Sequence, residues 1–160
     1  MAKSSFLRQL SDRVNAACEV ALFTTMVLMT SVTVLQIVFR LWFSALTWSE
    51  ELTCFLLVVA SFLGTAVAFK RGAHIAVTFL LQAMPAPLRR FTLLFIDGIG
   101  IAFFAALTWY GAEFCRQEAS QTATALSISM SWVYLIFPIT GIIVLLHLAA
   151  HGESLLWRSE

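Results

Sequence analysis

The stretch SEELTCFLLVVASFLGTAVAFKRGAHIAV, residues 49–77, places two acids at one end and a Lys-Arg-Gly-x-His cluster at the other. Eighteen residues without a charge separate Glu51 from Lys70. In a helix rising about 1.5 Å per residue that run is about 27 Å long, close to the thickness of a bilayer's hydrocarbon core. The acids and bases therefore read as two ends of one membrane-crossing helix, in different compartments, and not as two halves of one site.

The rest of the chain repeats the pattern. Hydrophobic residues make up 60% of the sequence and charged residues only 12%, about half the charge of a soluble domain. Residues 20–39 and 52–69 carry no charge, 91–112 carry only Asp97, and 119–146 carry none. The polar opening of the last run, ASQTATALSI, moves the start of the fourth span to Ser129 or Ser131, either able to cap it. The expected fold is one all-α membrane domain, with transmembrane helices over 18–39, 52–70, 91–113 and 129–150. Within residues 1–17, Phe6, Leu7, Leu10, Val14 and Ala17 recur at helical spacing opposite Lys3, Arg8, Ser11 and Asp12. This predicts an amphipathic interfacial helix, or else the frayed start of span one. The segment lacks the basic-then-apolar layout of a cleavable signal. IAVTFLLQAMPAPLRR, residues 75–90, is apolar but too short to cross. It is expected to form a short interfacial helix over 77–83, stopped by Pro85 and Pro87.

Lys and Arg set the orientation. Eight of them, Lys3, Arg8, Arg13, Lys70, Arg71, Arg89, Arg90 and Arg158, lie before span one, between spans two and three, or in the tail. Two, Arg40 and Arg116, lie in the other connections. The excess places both termini and the middle connection in the cytoplasm, with Glu50, Glu51, Glu113 and Glu118 outside. Trp42, Trp48, Trp109, Tyr110 and Trp132 fall near that outer boundary, as interfacial anchors do. A net charge of +1 gives nucleic-acid binding no support.

Asp97 is the only acid within a span, and a carboxylate there needs a partner. It follows Arg90 by seven residues, about 10 Å along the helix. It reads as half of a buried ion pair with Arg90, or with Lys70 or Arg71 on the neighbouring helix. His147 and His151 share a helical face without a third ligand nearby, and read as solvated histidines where the last span leaves the bilayer. Cys18, Cys54 and Cys115 stand apart and read as small buried apolar residues. No nucleophile elbow, phosphate loop or Ser-His-Asp pattern occurs, so no enzyme, metal or cofactor is expected. Ala60, Gly64 and Ala68, with Ser61 and Thr65 beside them, form a small-residue stripe that lets another helix approach. Span three repeats it with Gly98, Ala102 and Ala106, or with Gly100. Pro138 is expected to kink span four.

The order of these features resembles the small membrane subunit of TRAP transporters, the DctQ type. The likeness runs over residues 32–146: Arg40 with LWFSALTWSEEL, then FLGTAVAF inside the second span, then KRGAHIAVTFLL. Later, TALSISMSWVYLIFPITG, residues 124–141, is similar to the family's last span, where an A-L-x-I-P-M-type start precedes a V-Y and a mid-span Pro. Ser129 departs from the pattern, standing where relatives often have Pro. So does Ala76, where a charged residue often follows the His-Ile pair.

The resemblance implies a tripartite importer in the bacterial inner membrane. A periplasmic solute-binding protein captures an organic acid and passes it to a large membrane subunit, a separate chain, where sodium coupling also resides. The small subunit holds no substrate site; it braces the large subunit's scaffold and adds to the docking surface for the binding protein. A chain this short, without paired broken helices, fits that accessory role. The resemblance makes Arg40, Trp48, Glu50 and Glu51 an outer partner interface, with Arg40 pairing with one of the two acids. Lys70, Arg71, His74, Arg89 and Arg90 fix the cytoplasmic edge and meet anionic lipid, while Ala60, Gly64 and Ala68 face another helix. The rival readings are a self-sufficient four-helix homodimeric transporter and a membrane redox protein. Against the first stands Glu19, at the cytoplasmic lip and not mid-span; an absorbance spectrum or thiol titration discriminates the second.

Overall fold

The computed structural model describes residues 6–71 and 85–157, and the helices among them account for the architecture. They are α1 (Phe6–Trp42), α2 (Thr47–Lys70), α3 (Ala86–Gln117), α4 (Met130–Tyr134) and α5 (Ile136–Trp157), with a 3-10 turn at Glu118–Ser120 after α3. Four stretches are long and apolar enough to cross a membrane: α1, α2, most of α3, and α4 continued into α5. The expected interfacial segment 77–83 and His74 lie outside the described residues.

Residues 6–17 run into span one without a break. α1 runs unbroken for 37 residues, about 55 Å by its rise. Its first turns depart from the expected polarity at Ser11, which is fully buried, and at Phe6, which is 78% exposed; Arg8 and Asp12 stay exposed as the pattern has them. A hydroxyl withdrawn from water needs protein partners.

Local chemistry sets the other helix ends. Pro85 caps α3 in an extended conformation and Pro87 follows in the first turn, where a missing N–H costs nothing. The fourth span is broken at Leu135, between α4 and α5. Pro138 has no N–H to offer the Tyr134 carbonyl one turn back, which accounts for the expected kink. Ser129 occupies the N-cap position of α4, but its hydroxyl makes no cap bond; it donates to the Ala119 carbonyl at 3.0 Å instead.

α1 packs on α2 and α3 on α5, and the two hairpins join through α2 and α5. One cluster unites Cys18 of α1, Leu63 and Val67 of α2, and Ile136 of α5. A second unites Ala66 of α2, Phe104 of α3, and Val144 and Leu148 of α5. α2 and α5 thus serve both clusters, leaving α1 and α3 as the edges. Since lipid competes for apolar surface, such packing rests on close fit. The α3–α5 seam is the closest. A Cβ on Gly111 would come within 2.9 Å of Phe137 Cβ and 3.2 Å of Pro138 Cδ. A Cβ on Gly141 would collide with Thr108 Oγ1 and lie 3.1 Å from the Phe104 carbonyl oxygen.

Candidate functional site

The polar groups gather at the two ends of the helices. At the Lys70 end, three helices meet at one hydroxyl. Lys70 Nζ donates to Ser11 Oγ at 2.6 Å and pairs with Asp12 Oδ1 at 2.7 Å, while Ser11 Oγ lies 2.9 Å from His147 Nδ1. An ammonium only donates, so Ser11 accepts from Lys70, and its hydroxyl donates to His147 Nδ1 or accepts from it according to the imidazole tautomer. His147 Nε2 is buried without a hydrogen-bond partner among the described residues. His147, only 3% exposed, is thus a core residue and not the solvated histidine expected. The Ser11 hydroxyl is itself fully buried.

Beside this cluster, Arg71 grips Glu19 with both Nη2, at 2.8 Å, and Nε, at 3.1 Å. Asn15 donates to the same carboxylate at 2.7 Å. Lys70 and Arg71 therefore tie α2 to α1, through acids whose partners sequence reasoning left unassigned. Arg89 lies exposed on α3, and the side chain of Arg90 is outside those described.

Asp97 pairs with neither Lys70 nor Arg71, both being committed to α1. Its Oδ2 lies 2.9 Å from His151 Nδ1, with the carboxyl side chain 15% exposed. The contact joins α3 to α5 and becomes an ion pair when His151 is protonated.

The other end is organised by Glu51. Its Oε1 accepts the backbone N–H of Thr124 at 3.0 Å; its Oε2 accepts those of Ala125 at 2.9 Å and Leu126 at 2.8 Å. Three consecutive amides form a concave anion site. The loop holds that curve through an antiparallel bridge between Thr122 and Ser129 and a left-handed Ser127, φ 53°. Glu51 is thus used within the chain and is not a free outer acid. Arg40 pairs with neither Glu50 nor Glu51; the loop amides have taken Glu51, and Glu50 faces outward in the first turn of α2. Trp48 is half-buried, while Trp42, Trp109, Tyr110 and Trp132 are exposed.

The small-residue stripes also divide differently. Ala60 is buried, but Ala68 is exposed and Gly64 has nothing within 4 Å of a built Cβ. The same holds for Gly98, whereas Gly100 meets Leu148. Cys18 and Cys115 are buried as expected, but Cys54 is exposed on α2.

The Ser11 cluster yields a direct expectation. Ser11→Ala removes the acceptor for Lys70 and the partner of His147 Nδ1, leaving both imidazole nitrogens buried and unmatched. The cost is about 1–3 kcal/mol, read as earlier thermal unfolding in detergent. Ser31→Ala, at an exposed position where the hydroxyl bonds its own helix, serves as the control expected to change little.

Fold and polar ties together define a four-span integral membrane protein whose ionic groups hold helices together at their ends. The comparisons narrow this. The family model "Tripartite ATP-independent periplasmic transporters, DctQ component" matches residues 29–155, and the chain belongs to that family. It is 34% identical over 95 residues to the C4-dicarboxylate TRAP transporter small permease protein DctQ of Rhodobacter capsulatus, covering 58% of this chain and 42% of that one. It is 28% identical over 95 residues to the sialic acid TRAP transporter small permease protein SiaQ of Vibrio cholerae, covering 59% and 55%. It is also 31% identical over 103 residues to the sialic acid TRAP transporter permease protein SiaT of Haemophilus influenzae, covering 64% of this chain but 17% of that one. The matched stretch therefore spans about half or less of these relatives.

Proposed function

We propose that the chain is the small accessory membrane subunit of a tripartite importer of organic acids in a bacterial inner membrane. It braces the scaffold of a large permease that is a separate chain, with both termini cytoplasmic. A periplasmic solute-binding protein delivers the substrate, and sodium coupling belongs to the large subunit. The observation that carries this is the family match across 29–155, which takes in the second, third and fourth spanning stretches and most of the apolar part of the first. The polar ties fit the role, since they fix helices to one another and present no reactive group in a pocket.

On this reading the Glu51-held loop lies on the periplasmic side, where it adds to the surface the binding protein meets. The Lys70 cluster closes the cytoplasmic edge, where the exposed Arg89 is free to meet anionic lipid headgroups.

The test is uptake of a panel of carboxylates and sialic acids by cells carrying all three components, with and without this chain. Uptake lost on deletion and restored by the chain supports the proposal. Substrate transport by the purified chain alone in proteoliposomes would overturn it in favour of the self-sufficient transporter.

A further inference from the structure

Each hairpin is tied within itself. Lys70–Asp12 and Arg71–Glu19 hold α2 to α1, while the close approaches at Gly111 and Gly141 and the Asp97–His151 contact hold α3 to α5. Between the hairpins the packing is uneven. The buried residues Ala60, Leu63, Ala66 and Val67 all lie in the second half of α2, towards Lys70; in its first half only Ser49 is buried. The buried α2 members of both apolar clusters come from that second half.

Polar contacts cross between the hairpins at both ends, and they differ in kind. At the Lys70 end Ser11 and His147 meet at 2.9 Å, both buried, where a broken bond leaves its groups unmatched. At the other end Glu51 reaches the amides of Thr124, Ala125 and Leu126 from a half-buried position, where water can take over each bond as it opens. The loop it holds is braced internally. Ala123 N–H donates to the Ile128 carbonyl at 2.8 Å, and Met130 N–H to the Gln121 carbonyl at 2.9 Å. α4, which follows directly, rests on α3 through the Phe114 and Tyr134 rings, their centroids 4.7 Å apart. Loop and α4 thus form one piece, carried by α3. We propose that Glu51 is the latch of a conformational device: the hairpins pivot about their packed Lys70 end, and α2 parts from the loop and α4 when the carboxylate lets go. Such a pivot is a hinge movement between two internally rigid bodies.

The test uses the full chain in lipid nanodiscs and reads distances between paired spin labels by double electron–electron resonance. At the Glu51 end one label goes on the exposed native Cys54 of α2 and the other on α4 through Trp132→Cys, also at an exposed position. At the Lys70 end the pair is Ala68→Cys on α2 and Ala149→Cys on α5, both exposed, with Cys54→Ser. Cys18 and Cys115 are replaced by Ala throughout. Glu51→Ala should raise the share of a longer α2–α4 distance at least about ten-fold, and Glu51→Gln less, while the Lys70-end distance stays fixed in both. Glu50→Ala should alter neither. An unchanged α2–α4 distance in Glu51→Ala overturns the proposal, because the carboxylate then orders a loop and latches nothing. Widening at both ends also overturns it, since the hairpins would separate without a pivot, as does an equal opening in Glu50→Ala. Should the alanine variant lose its helicity, Glu51→Gln, which keeps one acceptor oxygen, carries the same comparison.

Discussion

Gly141→Ala is expected to loosen the α3–α5 seam more than the same change at any other described glycine. The new Cβ would occupy the space of Thr108 Oγ1. That hydroxyl has no freedom to swing away, being held to the Phe104 carbonyl at 2.7 Å. The carbonyl oxygen itself lies 3.1 Å from the Cβ, so backbone must move as well as side chain. Overpacking of this kind costs about 1–3 kcal/mol, and Gly141→Leu should cost more. Unfolding in detergent, followed by circular dichroism, measures the loss. Thr108→Ala alone should be mild, yet combined with Gly141→Ala it should recover most of the stability by removing the colliding oxygen. Non-additivity of that pair is the signature of direct contact. Gly64→Ala and Gly98→Ala meet nothing within 4 Å and should leave unfolding unchanged. A Gly141→Ala protein as stable as the parent would refute the seam.

Glu51→Ala is expected to release the loop before α4. Three amides lose a charged acceptor together, and bonds to a charged group each contribute about 1.5–3 kcal/mol when well formed. Screening at this partly exposed site reduces the sum, so about 2–3 kcal/mol overall is the reasonable scale. Amide hydrogen exchange at Thr124, Ala125 and Leu126 should accelerate by roughly 30-fold to 150-fold, at tenfold for each 1.4 kcal/mol. Glu51→Gln keeps one acceptor oxygen and should give an intermediate result. Glu51→Asp is a methylene shorter and should resemble the alanine variant. Glu50→Gln should leave these amides as they are. Unaltered exchange in Glu51→Ala would show that the loop holds its curve without the carboxylate.

The spans were readable from sequence because a bilayer imposes a simple demand, a long run of apolar residues between charges, and 52–69 meets it without a break. Pro138 was readable for the same kind of reason, since a missing N–H acts on its own helix whatever surrounds it. The partners of charged residues were not. Asp97 and His151 stand 54 residues apart, and nothing in the spacing favours that pair over Lys70, which is drawn instead to Asp12. Glu51 was singled out for its charge, but its partners are backbone amides, which any residue type carries. Ser11 was read on a solvated face because amphipathicity predicts a polar side turned to water. Arg8 and Asp12 of that side are exposed, but Ser11 turns inward to Lys70 and His147. Gly64 and Gly98 attracted notice through their regular small neighbours, while Gly111 and Gly141 make the contacts. A stripe shows where a close approach is possible within one helix, and only the facing helix decides where it happens.

The buried hydroxyl of Ser11 has a consequence for how the protein is made. Ser11 and His147 are 136 residues apart, so α1 is synthesised long before the imidazole that completes its contact. Lys70 and Arg71 reach Asp12 and Glu19 of α1 as soon as α2 is in place, so those two ion pairs need nothing from the later helices. The seam to α5 has to wait for the last helix. In order of synthesis the α1–α2 ion pairs therefore come first, and the contacts of Glu51 with the loop at 124–126 and of Ser11 with His147 come after them.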